Sequence, residues 1–273
     1  MSPSEPFEQS PDFVQSLARG LLVLRAFDHA LPQASLSEVA ERTGLARAVV
    51  RRNLLTLQHL GYVSANGREF SLTPRVLELG YSYLSSLGLS QLAQQPMEQL
   101  ANQVDESCSL SVLDGHDIVY VQRVAVRKVM SIALGIGARL PAFAASMGRV
   151  ILADLSAEDL SAWLRETKLR AFTHLTLHSA GALKAELHRV RDQGYSLVSQ
   201  ELELGLCSIA VPIRAVNGRV VAGLNVSMQY CDDVRERALK KMLPALRRTQ
   251  EAIEGGIACG GSLPLLEMSV AHE

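Results

Sequence analysis

The sequence predicts an α+β protein in two parts: an N-terminal winged helix-turn-helix joined by a linker helix to a C-terminal antiparallel sheet with flanking helices. Three observations predict it. A capping box, a Thr-Gly stop and an arginine-bearing helix follow one another near the N-terminus. The dipeptides Asn66-Gly67, Asp114-Gly115 and Asn217-Gly218 sit between runs rich in β-forming residues, the signal of hairpins. Segments of helical periodicity separate those hairpins, as in α+β folds. At 273 residues the chain exceeds a domain of about 100 to 200 residues, which favours two domains.

Composition sets the outer limits. An apolar share of 48% with 20% charged residues supports a buried core and excludes a largely disordered chain. The first twelve residues, MSPSEPFEQSPD, hold three prolines and no apolar run, so residues 1–12 are expected to be a disordered leader without the core of a signal peptide. No uninterrupted apolar stretch is long enough for a membrane span. Cys108, Cys207, Cys231 and Cys259 are far apart and form no CxxC pair, which suits a reduced, cytoplasmic setting. The net charge of −1 hides a local excess: between Arg42 and Arg75 six arginines face one acid, Glu69. A phosphate responds to that local charge and not to the total.

In order along the chain, apolar residues at 14, 17, 21, 24 and 27 predict a helix over 14–28. Ser35 and Glu38 have capping-box spacing, in which each side chain satisfies the other's backbone N–H, so a second helix runs from about Leu36 to Arg42 and stops at Thr43-Gly44. A third begins near Ala46. Two short helices around a tight turn are a helix-turn-helix. On the third, at about 100° per residue, Arg47 and Arg51 lie within about 40° of each other, Gln58 lies between them, and Arg52 lies near 140°. Val49, Val50, Leu57 and Leu60 occupy roughly 200° to 300°, an opposite apolar side. YVSA and REFSL then pair as a wing around Asn66-Gly67, expected as a type I′ turn. Thr73-Pro74 opens the linker helix, 73–89, with threonine as cap and proline where its missing N–H costs nothing.

Residues 90–258 form the second domain, with 259–273 as a flexible tail. SCSLSVL and IVYVQRV flank Asp114-Gly115, VMSIALGIG is expected as a third strand, and MGRVILADL as a helix. Ser156 and Asp159 cap a further helix, Ser179 to Gln193 is amphipathic and ends at Gly194, and SIAVPIRAV faces RVVAGLNVSM. A long helix is expected from Asp232, bent at Pro244.

Three blocks carry a resemblance: the winged helix-turn-helix, GARLPAFAASMGRVILA at 137–153, and GYSLVSQELELGLCSIAVPIRAVNGRVVAGLNVS at 194–227. From Val14 to about Glu254 the chain resembles the IclR family of bacterial transcription regulators. Within the family, LTPRVLELGYSYLSS and LPAFAASMGRVILA are most similar to regulators of protocatechuate and 4-hydroxybenzoate breakdown. The resemblance implies a sequence-specific DNA-binding domain, a GAF-like effector domain, and a homodimer or dimer of dimers controlling an aromatic-compound catabolic operon. No catalytic residue, metal or cofactor is implied; the small molecule is an organic, aromatic acid effector.

Residues early in the second helix of a helix-turn-helix meet base edges and phosphates, and Ala46, Arg47, Ala48, Arg51 and Arg52 occupy those places. A guanidinium fork suits guanine or phosphate, and a small alanine suits a thymine methyl. Arg68 at the wing tip reaches a groove or a phosphate. The bland alternative is a solvated basic face. For the effector, the family's pattern points to Ser146, Met147, Val198, Ser208, Asn225 and Ser227. Ser146 and Met147 begin a helix and so present unbonded N–H groups to a carboxylate, and alternation places Asn225 and Ser227 on one strand face. Many family members carry an acid near 198 and 199; here those residues are Val198 and Ser199, which favours an anionic ligand. Arg123 and Arg139 are candidate countercharges, with surface or interface roles as the alternative. Cys108 and Met147 are also candidates for plain packing.

Two rival classes remain. A hydrolase needs a nucleophile and base; GxSxG is absent, and Cys108, His116 and Asp117 form only a loose cluster in sequence. GIGARL lacks the final glycine of a dinucleotide fingerprint, and the histidines show no HExxH spacing. A protein-interaction adaptor would use the winged helix without DNA.

Overall fold

Short-range chemistry shapes the N-terminal part of this computed structural model, which describes residues 7–28, 30–80, 88–126 and 135–259. The chain divides into two compact units, Met1–Tyr83 and Leu84–Glu273. In the first, α1 (Gln15–Leu24), β1 (Gln33–Ser35), α2 (Leu36–Thr43), α3 (Arg47–His59), β2 (Val63–Asn66) and β3 (Glu69–Leu72) follow in order. The capping box forms as expected: Glu38 N–H donates to Ser35 Oγ at 3.4 Å, and Ser35 N–H to Glu38 Oε2 at 2.8 Å. Helix α1 ends earlier than its apolar pattern suggests, because Asp28 accepts the N–H groups of Ala30 and Leu31, both at 2.9 Å, and turns the chain. Val50, Leu54 and Leu57 of α3 pack on Val23, Phe27, Val39 and Val63. Leu60, expected on that seam, is 48% exposed at the end of the helix.

The wing is a three-stranded sheet of order β1-β3-β2. Strand β1 was not predicted: it is three residues long and exists by pairing with β3. The hairpin turn also differs. Asn66 pairs with Glu69, so Gly67 and Arg68 are the central residues. Positive φ occurs at Gly67 (63°) and not at Arg68, which is the requirement of a II′ turn and not of I′. Beyond it, Thr73 Oγ1 accepts Arg75 N–H at 3.3 Å and Pro74–Val76 form a 3-10 turn. The chain stays helical through Gly80, and residues 81–87 of the expected linker helix lie outside the described residues. Within the expected leader, Phe7–Gln9 form a 3-10 turn whose Phe7 ring meets Phe13 edge-on at 5.9 Å; residues 1–6 and 260–273 are outside the described residues.

The second unit contains α4 (Leu89–Val104), β4 (Cys108–Asp114), β5 (Asp117–Val124), β6 (Arg139–Pro141), α5 (Ser146–Leu152), α6 (Ala157–Glu166), α7 (Ala180–Gln193), β7 (Ser196–Ser199), β8 (Leu206–Arg214), β9 (Val220–Gln229), α8 (Val234–Arg237) and α9 (Leu243–Cys259). Six strands pair antiparallel in the order β6-β5-β4-β9-β8-β7. Period-two alternation sorts the faces. Cys207, Ile209, Val211 and Ile213 of β8, with Ala222, Leu224, Val226 and Met228 of β9, pack against α4 and α9. The opposite face meets α5, α6 and α7 through Met147, Ile151, Trp163 and Leu187. The cap expected at Ser156 is present, Ser179 Oγ accepts Ala182 N–H as a further cap, and Gly194 ends α7. The long helix expected from Asp232 runs as continuous helical backbone from α8 through a π turn at Ala238–Met242 into α9, and the π turn, a local change of hydrogen-bond register, lies immediately before Pro244, which lacks an N–H. Most of the strand expected at VMSIALGIG lies outside the described residues.

Candidate DNA-binding face and effector cavity

The polar side of α3 and the wing tip remain open. Ala46, Arg47, Ala48, Arg51, Arg52 and Arg68 are all exposed, and among the described residues none of the four arginines has an ion-pair partner. The other two arginines of the stretch are engaged. Arg42 pairs with Asp28, while Arg75 pairs with Glu78 at 3.4 Å and stands 5.6 Å from the centroid of the Tyr62 ring. Four guanidinium groups on a helix face and its wing are thus left to meet an anion.

In the second unit, the face of the sheet toward α5 is built from small residues, and one cavity opens there. Ser146, Met147, Val198, Ser208, Asn225 and Ser227 all line it. Two glycines allow the close packing that forms it. A Cβ on Gly148 would lie 2.1 Å from the Ala142 carbonyl oxygen, and one on Gly223 would lie 2.7 Å from that of Met147. The start of α5 can therefore settle directly on β9.

Hydrogen bonds fix the polar wall. Ser146 Oγ donates to Ser208 Oγ at 2.9 Å. Ser109 N–H donates to Asn225 Oδ1 at 3.1 Å, and Asn225 Nδ2 donates to Ser227 Oγ at 3.3 Å. With its carbonyl occupied by a backbone N–H, Asn225 presents its NH2 group along the wall, so this amide offers donors to a ligand.

The cavity also has an acid that the sequence reading missed. Glu201 lines it, but its carboxylate is occupied: Arg149, 1% exposed, donates to its two oxygens at 2.8 and 2.6 Å. Arg149 further donates to Phe143 O at 2.8 Å, and Leu177 N–H to Glu201 Oε2 at 2.8 Å. The pair is electrically neutral, so Glu201 adds no net negative charge to the wall. Tyr120, Leu140, Leu202 and Leu206 complete an apolar part. Burial pushes the Tyr120 phenol up to about 12. The family's pattern places an acid two to three residues before Glu201, and Tyr120 comes from a distant strand; no local signal marks either.

The cavity is small, at about 30 Å³, room for two or three waters at roughly 10 to 15 Å³ each. One wall is the β7–β8 connection, where Gln200 takes a left-handed φ of 58° and donates its N–H to Leu206 O at 2.6 Å.

The two candidate countercharges separate. Arg139 pairs with Asp114 at 2.5 Å and Asp117 at 3.2 Å, bracing the β4–β5 hairpin, and is not available to a ligand. Arg123 is half-buried and donates to Ser109 Oγ at 3.2 Å. Cys108, His116 and Asp117 are not brought together as a catalytic group. Cys108 begins β4, buried, with its thiol on Met97 O at 3.3 Å and pushed up to about 12 by burial; His116 lies at the far hairpin, bonded to Thr167 Oγ1 at 2.7 Å. No helix among the described residues is long and apolar enough to cross a membrane.

Comparison with known proteins adds a second line of observation. Residues 16–67 match the family model described as the IclR helix-turn-helix domain, and residues 81–254 match that of the bacterial transcriptional regulator IclR C-terminal. The chain is 42% identical over 243 residues to the Pca regulon regulatory protein of Pseudomonas putida, covering 89% of this chain and 84% of that one. It is 36% identical over 246 residues to the p-hydroxybenzoate hydroxylase transcriptional activator of Acinetobacter baylyi, covering 88% and 91%. Among solved structures, an IclR homolog from Microbacterium hydrocarbonoxydans complexed with 4-hydroxybenzoate is similar at a TM-score of 0.80 and 25% identity, covering 89% and 99%.

Proposed function

The chain belongs to the IclR family of bacterial transcriptional regulators, and we propose on that ground that it controls an aromatic-compound catabolic operon in response to a small aromatic acid. It reads operator DNA with α3 and the wing. Arg47, Arg51 and Arg52, with Ala46 and Ala48, face the major groove, and Arg68 reaches an adjoining phosphate or groove. The effector, of the class of 4-hydroxybenzoate or protocatechuate, enters the cavity lined by Ser146, Met147, Val198, Ser208, Asn225 and Ser227. Hydroxyl and amide donors hold its carboxylate, and the apolar wall takes the ring. The protein acts in the cytoplasm as a homodimer or dimer of dimers, without a cofactor and without catalysis.

The observation that carries this reading is that Arg47, Arg51 and Arg52 of α3 and Arg68 of the wing are exposed and have no ion-pair partner among the described residues. A second supports its regulation. The cavity, about 30 Å³, is far below the roughly 300 to 1,000 Å³ of small-molecule sites, so an aromatic acid binds by favouring a more open state. A ligand that binds one state better shifts the population toward it, and that shift, passed through segment 73–89, alters the spacing of paired DNA-binding heads. A mobility-shift assay on the intergenic DNA beside its own gene tests the DNA reading. Sequence-specific, salt-sensitive binding is expected; binding to no DNA at all supports the adaptor alternative instead.

A further inference from the structure

We propose that Arg123 supplies the countercharge that makes the cavity select an anionic aromatic ligand over its neutral analogue. This rests on the reading of the cavity as the site of an aromatic acid, and it assigns a residue that does not itself line the wall.

Strand register places Arg123. Residues paired across an antiparallel ladder point to the same face. Arg123 pairs with Ser109, Ser109 with Asn225, and Asn225 with Ala210, so Arg123 lies at the end of one transverse row on the cavity face. A bulge in β5 opposite Leu110/Ser111 puts Tyr120, a wall residue, on that same face. The row is joined by bonds: Arg123 Nη1 donates to Ser109 Oγ at 3.2 Å, Ser109 N–H to Asn225 Oδ1 at 3.1 Å, and Asn225 Nδ2 to Ser227 Oγ at 3.3 Å.

Charge accounting then isolates Arg123. Arg149 is neutralised by Glu201, and Arg139 by Asp114 and Asp117. Among the described residues, Arg123 has no carboxylate partner. Its charge already reaches the wall, where it opposes the upward push of burial on the Tyr120 phenol. The cavity thus combines an unpaired positive charge just behind the wall with an Asn225 amide turned to donate, and both favour a carboxylate.

The test uses the full chain and calorimetric titration with 4-hydroxybenzoate and, as the neutral probe, 4-hydroxybenzamide. In Arg123→Gln, affinity for the acid falls on the order of 10- to 30-fold, as for one charge acting across roughly 8 to 12 Å at an effective dielectric of about 20, while amide affinity changes less than about 2-fold. Arg123→Lys keeps most of the acid affinity, because charge and not fork geometry is required. Equal loss for both ligands overturns the proposal and makes Arg123 a packing residue; no loss for the acid also overturns it while leaving the aromatic-acid reading intact. If the unaltered protein binds neither ligand nor protocatechuate, the aromatic-acid reading fails and this assignment falls with it.

Discussion

Arg149→Met removes the cation that balances the Glu201 carboxylate at the cavity wall. In the native protein Arg149 is 1% exposed and makes two bonds to Glu201 and one to Phe143 O. After substitution, Glu201 keeps the Leu177 N–H at 2.8 Å but has no cation. Breaking one side of a buried ion pair costs about 3 to 5 kcal/mol, because the remaining charge stays desolvated and uncompensated. The lost bond to Phe143 O adds about 1 kcal/mol, which the packing of methionine partly offsets. At about 2 to 4 °C per kcal/mol for a unit of this size, the melting temperature falls by roughly 6 to 20 °C. The assay is direct, since the chain has one tryptophan, Trp163, buried in the same layer of the core. Its fluorescence reports unfolding of the second unit. The double variant Arg149→Met with Glu201→Leu regains most of the loss, as apolar replacements of whole buried pairs do. A loss below about 1 kcal/mol in the single variant, or a double variant no more stable than the single, would refute the electrostatic reasoning.

Other outcomes follow from the same geometry. Gly148→Ala places a methyl against the Ala142 carbonyl and destabilises the second unit by about 1 to 3 kcal/mol, read by the same fluorescence; an unchanged midpoint would mean that α5 shifts freely. Arg47→Ala weakens operator binding by about 1 to 3 kcal/mol if it reads a base, whereas loss of a phosphate contact at Arg51 weakens all sequences alike and lowers the salt slope by about one. Unchanged operator affinity in both removes α3 from recognition. In the first unit, the Arg42 guanidinium holds Asp28 below its ordinary value of 3.8, and the Ser35 cap holds Glu38 below 4.5. A depressed carboxylate stabilises the fold above its unfolded value and loses that contribution as pH falls through its folded value. Helicity of this unit therefore weakens below those values, and Asp28→Asn makes the acid dependence shallower in a circular-dichroism titration; identical profiles would exclude the Asp28–Arg42 pair.

Local chemistry was legible and distant chemistry was not. The caps at Ser35 and Ser156 and the stops at Gly44 and Gly194 are each decided within a few residues, and each stands in the structure. Strands β1, β6 and β7 have three or four residues each, too few for alternation to register, and are fixed by their partners. Helix α4 escaped notice because Pro96 lies inside it; proline breaks the expected pattern, while the buried face of Leu89, Ala93, Met97 and Leu100 holds the helix in place. Hairpins were placed correctly but their turns were shifted by one residue, since glycine took the first central position both after Asn66 and after Asp114. At the cavity, the family's pattern pointed to Asn225 and Ser227, and strand alternation put the two on one face. Tyr120 and the Arg149–Glu201 pair arrive through tertiary folding, and so did the separation of Arg123 from Arg139.

The coupling of cavity to DNA is tested most directly by equilibrium titration and footprinting of operator DNA with the full chain, with and without saturating 4-hydroxybenzoate or protocatechuate. An acid that selects one conformation changes operator affinity by about 5-fold or more, or redraws the footprint at unchanged half-sites. Identical affinity and footprint with an acid shown by calorimetry to be bound would contradict the account.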